Sequence, residues 1–377
     1  PRDERERKLA EIWQRALGVP RVGRSDDFFD LGGHSLLAVK ISNEVERAFG
    51  LRLPLATLFE CPTLEAFAAR LSALGGNGDG GAAPPWTTLV PIQPSGSLPP
   101  LFCVAGLGGN PMNLFHLADA LGSEQPFFGL QMRGVDGGLT PHRSVRAMAE
   151  EFTADIRTQQ AHGPYYLAGY SFGGLVALEM ASMLREAGET VGLVVLFDTM
   201  NPLNPSWTLR ERVGQHLANL RERGVAYFAN RLLARAQAEL VRGRRKLYAQ
   251  LARVRHFEYR NEAVWEAAEE AMARYTPSVY AGDVLLLQAD WRLTAGDGIG
   301  LRPHESNGWG ELLPALQIVG IPSSHVDVVS EQASPLAAAA LTRALEKVRE
   351  RSANGRAPPA STPPAPAPIS DGFVRVA

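Results

Sequence analysis

A serine set among glycines, in Gly-Tyr-Ser-Phe-Gly-Gly at residues 169–174, is the feature that most constrains how this chain can fold. The apolar run at residues 165–168 predicts a buried strand before it, and residues 175–181 predict a helix after it. A strand-to-helix turn this tight has room only for residues without a side chain at its closest approaches, hence the glycines around the serine, and it lifts the Ser171 hydroxyl above the sheet. The helix that begins there directs its free N–H groups at any developing oxyanion. The pattern therefore predicts that Ser171 is a nucleophile, with a glycine-rich turn that carries no chemistry as the alternative.

The composition of the 377-residue chain is that of an ordinary globular protein, with 45% hydrophobic and 21% charged residues. A net charge of −2 argues against a nucleic-acid binder. Only Cys61 and Cys103 occur, too few for a disulfide framework or a metal cluster, so we expect no metal site and a reducing cytoplasm. No apolar run approaches the roughly 18 residues of a membrane span, and the charged N-terminus resembles no signal peptide.

Helical periodicity dominates residues 1–74. Apolar side chains recur at helical spacing over residues 3–17, and a second helix is predicted over residues 35–49. A short helical turn near residues 55–59 and a last helix over residues 63–74 complete the pattern. The sequence therefore predicts a small all-α bundle, close to the lower size limit for an independent core.

The loop before the second helix carries Asp-Phe-Phe-Asp-Leu-Gly-Gly-His-Ser-Leu-Leu at residues 27–37. This stretch resembles the thiolation motif of peptidyl carrier domains of nonribosomal peptide synthetases. The resemblance implies that Ser35 carries 4′-phosphopantetheine, attached after translation. A serine hydroxyl at a helix N-terminus, after two glycines, also lies beside amide donors suited to a phosphate. From the residues alone, a simple N-cap role for Ser35 stays open, and His34 is expected to be a surface or loop-packing residue.

The composition changes after the bundle. Residues 75–86, rich in Gly with Ala and Pro, predict a flexible linker. Between residues 87 and 350, predicted strands alternate with helices, which implies a mainly parallel sheet covered on both faces. The strands are predicted at 89–92, 101–104, 126–130, 165–168, 191–197, 283–288 and 316–320. Residues 204–276 interrupt the alternation and predict a helical lid, with a solvated helical face as the alternative, and residues 351–377 predict a disordered tail.

A serine nucleophile requires a base, normally a histidine oriented by a carboxylate. Of eight histidines, His325 directly follows the last predicted strand, which fits a chain order of serine, acid, histidine. His304 is the alternative, in a loop with no strand before it. For the acid, Asp198 ends the strand after the elbow helix, and Asp290 follows the next strand. Either carboxylate would lie at the carboxyl edge of the sheet, so the residues alone leave the acid open.

A second resemblance covers residues 87–350. The segments Phe-Cys-Val-Ala-Gly-Leu-Gly-Gly-Asn at 102–110, the serine turn and Phe-Asp at 197–198 are similar to type I thioesterase domains, which have the α/β-hydrolase fold. The resemblance favours Asp198 as the acid. It also implies an oxyanion hole made by the backbone N–H groups of Phe172 and Leu107, with Ala105 and Gly106 as alternatives to Leu107. Many members of this family carry His-Pro where this chain has Ala-Gly, so the sequence departs from the pattern there.

Together the two resemblances imply chain release in nonribosomal peptide or hybrid polyketide biosynthesis. An acyl or peptidyl chain would pass from phosphopantetheine on Ser35 to Ser171, and then leave by hydrolysis or macrocyclisation. The partners we expect are upstream synthetase modules, a phosphopantetheinyl transferase and the thioester substrate, with neither nucleic acid nor membrane. Two alternatives stay open: a stand-alone serine esterase or lipase-like hydrolase, and a carrier module joined to an inactive hydrolase-like domain.

Overall fold

The computed structural model describes residues 1–33, 35–51, 57–75, 87–135, 139–203, 260–290 and 306–353. Most of the predicted linker, residues 204–259 of the predicted lid, and residues 354–377 of the predicted tail lie outside the described residues, as do His34 and His304. Within the described ranges, no helix combines the length and the apolar character that a membrane crossing requires.

The N-terminal part of the described chain is a helical bundle around one apolar core, as predicted. Its helices are α1 Glu4–Leu17, α2 Ser35–Phe49, α3 Thr57–Glu60 and α4 Leu64–Gly75. Trp13 is fully buried, with the rings of Phe28 and Phe67 at 5.4 and 6.1 Å between centroids. The Asp3 side chain caps the start of α1, and Gly18 ends it with a φ of 70° that favours glycine.

One seven-stranded sheet organises the rest of the described chain. Its strands are β1 Leu89–Gln93, β2 Leu101–Val104, β3 Phe127–Leu130, β4 Tyr165–Tyr170, β5 Val191–Phe197, β6 Val284–Ala289 and β7 Leu316–Ile321. They lie in the order β1-β3-β2-β4-β5-β6-β7, and β1 alone runs antiparallel to its neighbour. Each predicted strand is therefore present, and the predicted α/β fold is confirmed.

Helices cover both faces of this sheet. They are α5 Phe115–Ala120, α6 Val145–Gln159, α7 Phe172–Glu186, α8 Arg260–Arg274 and α9 Ser334–Ala353. α6, α7 and α8 pack on one face, and α5 and α9 pack on the other. Strand β2 contributes side chains to the cores on both faces of the sheet. Phe102 and Val104 pack in the core under α6, α7 and α8, while Leu101 and Cys103 pack in the core under α5 and α9. Alternate side chains of a strand point to opposite faces, so a fully apolar strand is buried on both.

The parallel strands bring their carboxyl ends to one edge of the sheet. That edge holds Ser171 directly after β4, Asp198 directly after β5, and His325 in the loop between β7 and α9. Residues far apart in the chain are therefore neighbours at this edge, where ligands bind in α/β sheets.

An aromatic pair joins the bundle to the sheet domain. Phe29, in the loop before α2, stacks on Phe115 at the start of α5, with 4.5 Å between ring centroids and 12° between ring planes. Met112, from a 3-10 turn at Pro111–Leu114, is 3% exposed and packs into the core of the bundle. These contacts place the loop that precedes Ser35 against the sheet domain.

Candidate active site

The turn between β4 and α7 holds Ser171 in a strained backbone conformation. Its φ is 53° and its ψ is −119°, a combination that costs free energy in any residue with a side chain. Glycine neighbours make the turn possible. A Cβ on Gly169 would lie 2.2 Å from the carbonyl oxygen of Gly173, and a Cβ on Gly173 would lie 2.4 Å from that of Ala105. The sequence pattern thus has a direct steric cause, because the backbone of α7 passes against β4 and β2 at those two glycines.

Thr199 supports the same turn from the neighbouring strand end. Its hydroxyl donates a hydrogen bond to the carbonyl oxygen of Ser171 at 2.9 Å, and a Cβ on Gly174 would collide with that hydroxyl. The Ser171 N–H donates to the Phe197 carbonyl oxygen at 2.9 Å. The backbone of Ser171 is therefore fixed from both sides, which leaves its hydroxyl directed at the carboxyl edge of the sheet.

Three predicted residues form one row of hydrogen bonds at that edge. Ser171 Oγ lies 3.0 Å from His325 Nε2, and His325 Nδ1 lies 2.7 Å from Asp198 Oδ2. The side chains of His325 and Asp198 are 13% and 10% exposed. In this row the imidazole can take a proton from the serine through Nε2, while the carboxylate fixes which ring nitrogen carries a hydrogen.

The second oxygen of Asp198 is also occupied. Oδ1 accepts hydrogen bonds from the Ala289 N–H at 3.1 Å and from Asn307 Nδ2 at 3.0 Å. The sequence analysis did not identify Asn307. The run Ser-Asn-Gly at 306–308 signals a turn, and a turn signal does not show which distant side chain its members contact.

The alternatives for the base and the acid have different locations. Asp290 follows β6, where its N–H donates to the Ser323 carbonyl oxygen at 2.9 Å. It is Asp198 that accepts the Nδ1 bond of His325. His304 lies outside the described residues, so the structure gives no contact for it.

Tyr170, the residue before Ser171, contacts the histidine as well. Its hydroxyl donates to the His325 carbonyl oxygen at 3.1 Å, and its ring stacks on the imidazole with 5.8 Å between centroids and 26° between planes. Gly106 lies against the same ring, since a Cβ there would be 2.9 Å from Tyr170 Cδ1. The small residue at position 106 therefore makes room for Tyr170. The sequence analysis had assigned Tyr170 no role.

The predicted oxyanion donors lie on the two expected segments. Phe172 is the first residue of α7, so its N–H has no acceptor within the helix. In the loop after β2, the Ala105 N–H donates to the Leu130 carbonyl oxygen at 3.0 Å, which removes Ala105 as an alternative. Within the described ranges, nothing accepts from the N–H groups of Leu107 and Gly106, so both remain candidates for the second donor.

The described part of the predicted lid covers this loop. A Cβ on Gly109 would lie 2.7 Å from Val264 Cγ1, and a Cβ on Gly108 would lie 4.0 Å from the ring of Trp265. Both side chains belong to α8, which is helical as predicted. The loop that carries Leu107 is thus packed between the sheet and α8, an arrangement that limits its movement.

Cys103, a second nucleophilic side chain, precedes this loop in β2. It is fully buried in β2, and burial raises the pKa of its thiol well above the ordinary value. The thiol therefore stays protonated at neutral pH and does not compete with Ser171 as a nucleophile.

The loop before α2 fits the attachment of a phosphate-linked group. Gly32 has a φ of 87°, and a Cβ on Gly33 would lie 2.3 Å from the Phe28 carbonyl oxygen, so both glycines are required by the turn. α2 begins at Ser35, which places this residue beside the free N–H groups of a helix N-terminus. The structure therefore places the predicted attachment residue at the first position of a helix, after a glycine turn.

A cavity of about 220 Å³ lies between this loop and the sheet domain. Gly33, two residues before Ser35, lines it on the side of the bundle, and Val326, the residue after His325, lines it on the side of the sheet domain. Phe29 and Phe115 form part of the same wall. The cavity thus extends between the segment that leads to Ser35 and the segment that carries His325.

Comparison with known families gives two matches. The first falls on the helical bundle and the second on the sheet domain. A family model described as phosphopantetheine attachment site matches residues 7–71, and one described as thioesterase domain matches residues 99–297. The second match covers more than half of the chain, so this chain belongs to the thioesterase domain family. The first identifies 4′-phosphopantetheine as the cofactor of the N-terminal bundle.

Curated relatives are large synthetases. Malpinin synthetase of Mortierella alpina is 47% identical over 199 residues, which are 53% of this chain and 2% of that protein. A dimodular nonribosomal peptide synthase of Bacillus subtilis strain 168 is 39% identical over 198 residues, 52% of this chain and 8% of that protein. The matched segments thus span less than a tenth of either relative.

Among solved structures, a four-domain nonribosomal peptide synthetase bound to AMP and glycine aligns with 91% of this chain and 26% of its own, with a TM-score of 0.54. Its sequence identity of 24% makes this a likeness of fold alone. The alignment agrees with the helical bundle followed by an α/β-hydrolase domain described above.

A substitution at Gly173 tests the steric basis of the serine turn. We expect Gly173→Ala to lower the free energy of unfolding by about 1–3 kcal/mol and to slow labelling of Ser171 by a fluorophosphonate probe, because the added methyl forces α7 away from β2. Gly320→Ala is the matched control, since a Cβ there meets no atom within 4 Å. Equal labelling rates for Gly173→Ala and wild type would contradict the steric explanation.

Proposed function

We propose that this thioesterase releases an acyl or peptidyl chain at the end of nonribosomal peptide, or hybrid polyketide, biosynthesis. In this proposal the chain passes from 4′-phosphopantetheine on Ser35 to Ser171 and then leaves the protein. The observation that carries the proposal is the row of hydrogen bonds from Ser171 through His325 to Asp198. The loop that leads to Ser35 and Val326, the residue after His325, line one cavity.

The proposed first half-reaction forms an ester on Ser171. When bound to Ser35, 4′-phosphopantetheine supplies a thiol that presents the substrate as a thioester. Ser171 Oγ attacks the thioester carbonyl while its proton passes to His325 Nε2, and Asp198 stabilises the resulting imidazolium. The N–H groups of Phe172 and Leu107 stabilise the oxyanion. His325 then returns the proton to the departing thiolate, which leaves the acyl group on Ser171.

The second half-reaction uses the same groups in the reverse direction. His325 Nε2 takes a proton from water, or from an amine or hydroxyl of the bound chain, as that group attacks the ester carbonyl. The proton then passes to Ser171 Oγ, and the product leaves as a free acid or a ring. Exclusion of water by the lid, proposed over residues 204–276, decides between hydrolysis and macrocyclisation. α8 is the described part of that lid.

The proposal includes a division of the chain and a set of partners. Residues 1–74 form the carrier and 87–350 the thioesterase. The linker and the tail were predicted to begin at residues 75 and 351, but α4 extends to Gly75 and α9 to Ala353, so they begin one and three residues later. Upstream synthetase modules deliver the growing chain to Ser35, and a phosphopantetheinyl transferase prepares Ser35 beforehand. Relatives that are synthetases support this assignment of partners.

Two observations favour this proposal over its alternatives. The hydrogen-bonded row favours an active enzyme over an inert hydrolase-like domain, since an inert domain has no need of it. The family match at residues 7–71 favours a carrier over a bundle joined to a general esterase. An esterase would turn over soluble esters and leave a thioester on the carrier intact.

Intact-protein mass spectrometry tests the transfer. A phosphopantetheinyl transferase and octanoyl-coenzyme A would load the wild-type chain, Ser35→Ala and Ser171→Ala. We expect octanoyl mass to appear on wild type and decay, to persist on Ser171→Ala, and never to appear on Ser35→Ala. The reason is that Ser35 receives the group and Ser171 discharges it.

Each contrary result removes one part of the proposal. If Ser35→Ala loads like wild type, the carrier serine is wrong. If loaded Ser171→Ala decays like wild type, the nucleophile is wrong although the carrier stands. The released product, a linear acid or a ring, identifies which second half-reaction operates with a natural substrate.

The contact between Phe29 and Phe115 predicts that discharge of the carrier-bound acyl group depends on docking of the bundle, whereas hydrolysis of a soluble substrate does not. We expect Phe29→Ala and Phe115→Ala each to slow discharge of an octanoyl group from Ser35 by about three- to tenfold, because a stacked aromatic pair contributes roughly 0.5–1.5 kcal/mol. The double variant should be no slower than the slower single variant, since the pair is lost only once. Hydrolysis of soluble octanoyl-pantetheine should keep its wild-type rate in all three.

Phe49→Ala is the control for this prediction. Phe49 is half-buried at the far end of α2, where Lys8 lies over its ring at 5.3 Å. The Phe49→Ala substitution should leave both the rate of discharge from Ser35 and the rate of hydrolysis of soluble octanoyl-pantetheine unchanged. Additive slowing in the double variant, or equal slowing of the soluble substrate, would show that the two rings do not act as a docking contact.

A further inference from the structure

Asn307 is a buried polar residue for which the proposed reaction has no stated use. It lies in the loop between β6 and β7, is 4% exposed, and has a φ of 49°. Asparagine tolerates this left-handed conformation better than most residues, but tolerance alone does not explain a buried side-chain amide. A buried amide is costly unless its donors and acceptor are paired, so its partners show what it does.

The partners of Asn307 converge on the candidate acid. Nδ2 donates to Asp198 Oδ1 at 3.0 Å and to the Thr199 carbonyl oxygen at 3.3 Å. Oδ1 accepts from Gln288 Nε2 at 2.7 Å. The reverse orientation of the amide would place its oxygen against the Asp198 carboxylate, so the two donors must face Asp198 and Thr199.

We infer that Asn307 is a positioning residue for the proposed reaction: its amide holds the Asp198 carboxylate so that Oδ2 points at His325 Nδ1. Two donors on Oδ1, from Asn307 and the Ala289 backbone, fix the plane of the carboxylate. The remaining oxygen is thereby directed at the imidazole at 2.7 Å. The inference rests on the proposed function, because it matters only if His325 acts as the base for Ser171.

The loop that carries Asn307 is anchored separately from this contact. Asn201 Nδ2 donates to the Gly308 carbonyl oxygen at 2.7 Å, and the Asn201 N–H donates to the Asn307 carbonyl oxygen at 3.0 Å. Trp309 Nε1 donates to the Thr199 carbonyl oxygen at 2.9 Å. The backbone around Asn307 therefore has its own supports, so the effect of the side-chain amide can be separated from that of the loop.

The test compares Asn307→Gly with Asn307→Asp in the full chain at pH 8, with soluble octanoyl-pantetheine as substrate. Gly tolerates the positive φ and removes the donor, whereas Asp keeps the size of the side chain and replaces the donor with a second carboxylate. We expect kcat to fall about tenfold or more in Asn307→Gly, because a hydrogen bond to a charged group is lost, and to fall further in Asn307→Asp. KM should change less than about twofold, because Asn307 is buried behind Asp198 and does not line the cavity.

A lower kcat in Asn307→Asp than in Asn307→Gly distinguishes a positioning role of the amide from a role in packing alone. If Asn307 only filled space, Asn307→Asp would be the milder change, because Asp matches its volume and Gly does not. Asn201→Ala, which loosens the same loop without touching Asp198, should keep kcat within about threefold of wild type. Circular dichroism shows whether each variant folds. If one Asn307 variant does not fold, the inference is tested by comparing the kcat of the other variant with the kcat of wild type and of Asn201→Ala.

Ser171→Ala distinguishes the two possible failures. If Ser171→Ala is inactive and the Asn307 variants keep the wild-type kcat, or if Asn307→Asp is the more active of the two, the inference about Asn307 is wrong and the proposed function stands. If Ser171→Ala turns over octanoyl-pantetheine like wild type, the proposed function fails and the inference fails with it. Loss of activity in Ser171→Ala together with the expected order supports both.

Discussion

The hydrogen bond between Asp198 Oδ2 and His325 Nδ1, 2.7 Å long, is the contact on which the rest of the site depends. A serine hydroxyl is a weak nucleophile until a neighbouring base can take its proton, and an imidazole serves as that base only when its ring is fixed in orientation. The parallel sheet supplies the fixed frame, because β4, β5 and β7 end at one edge. Asn307 and the Ala289 backbone hold the carboxylate from behind, and Tyr170 stacks on the imidazole from the side.

The same edge of the sheet also receives the helical bundle. The Phe29–Phe115 stack and the burial of Met112 set the loop before Ser35 beside the segment that follows His325. Gly33 and Phe29 from the loop before α2 line one cavity together with Val326, the residue after His325, so the cavity has walls from both parts.

Local patterns predicted most of the fold. Apolar runs bounded by glycine and proline give strands within two residues of their observed ends, because a fully buried strand needs an unbroken apolar sequence. Ser171 and His325 were predicted from their positions after strands in a fixed chain order, whereas position left the acid open between Asp198 and Asp290, and the family resemblance favoured Asp198. Asn307 and Tyr170 were not predicted, since their contacts depend on how distant loops pack at the sheet edge, and no periodicity records that. Likewise, only the backbone contact from Ala105 to Leu130 shows that Ala105 is unavailable as an oxyanion donor.

The rate at which a fluorophosphonate probe labels Ser171 in Asp198→Asn, compared with Asp290→Asn, tests the central claim most directly. Asparagine at position 198 keeps the shape of the side chain but presents a different hydrogen-bond pattern to His325 Nδ1. We expect labelling to slow by about three to four orders of magnitude in Asp198→Asn, as known for this change in a serine triad, and to stay close to wild type in Asp290→Asn. Wild-type labelling in Asp198→Asn, or the large loss in Asp290→Asn instead, would contradict the claim that Asp198 and His325 activate Ser171.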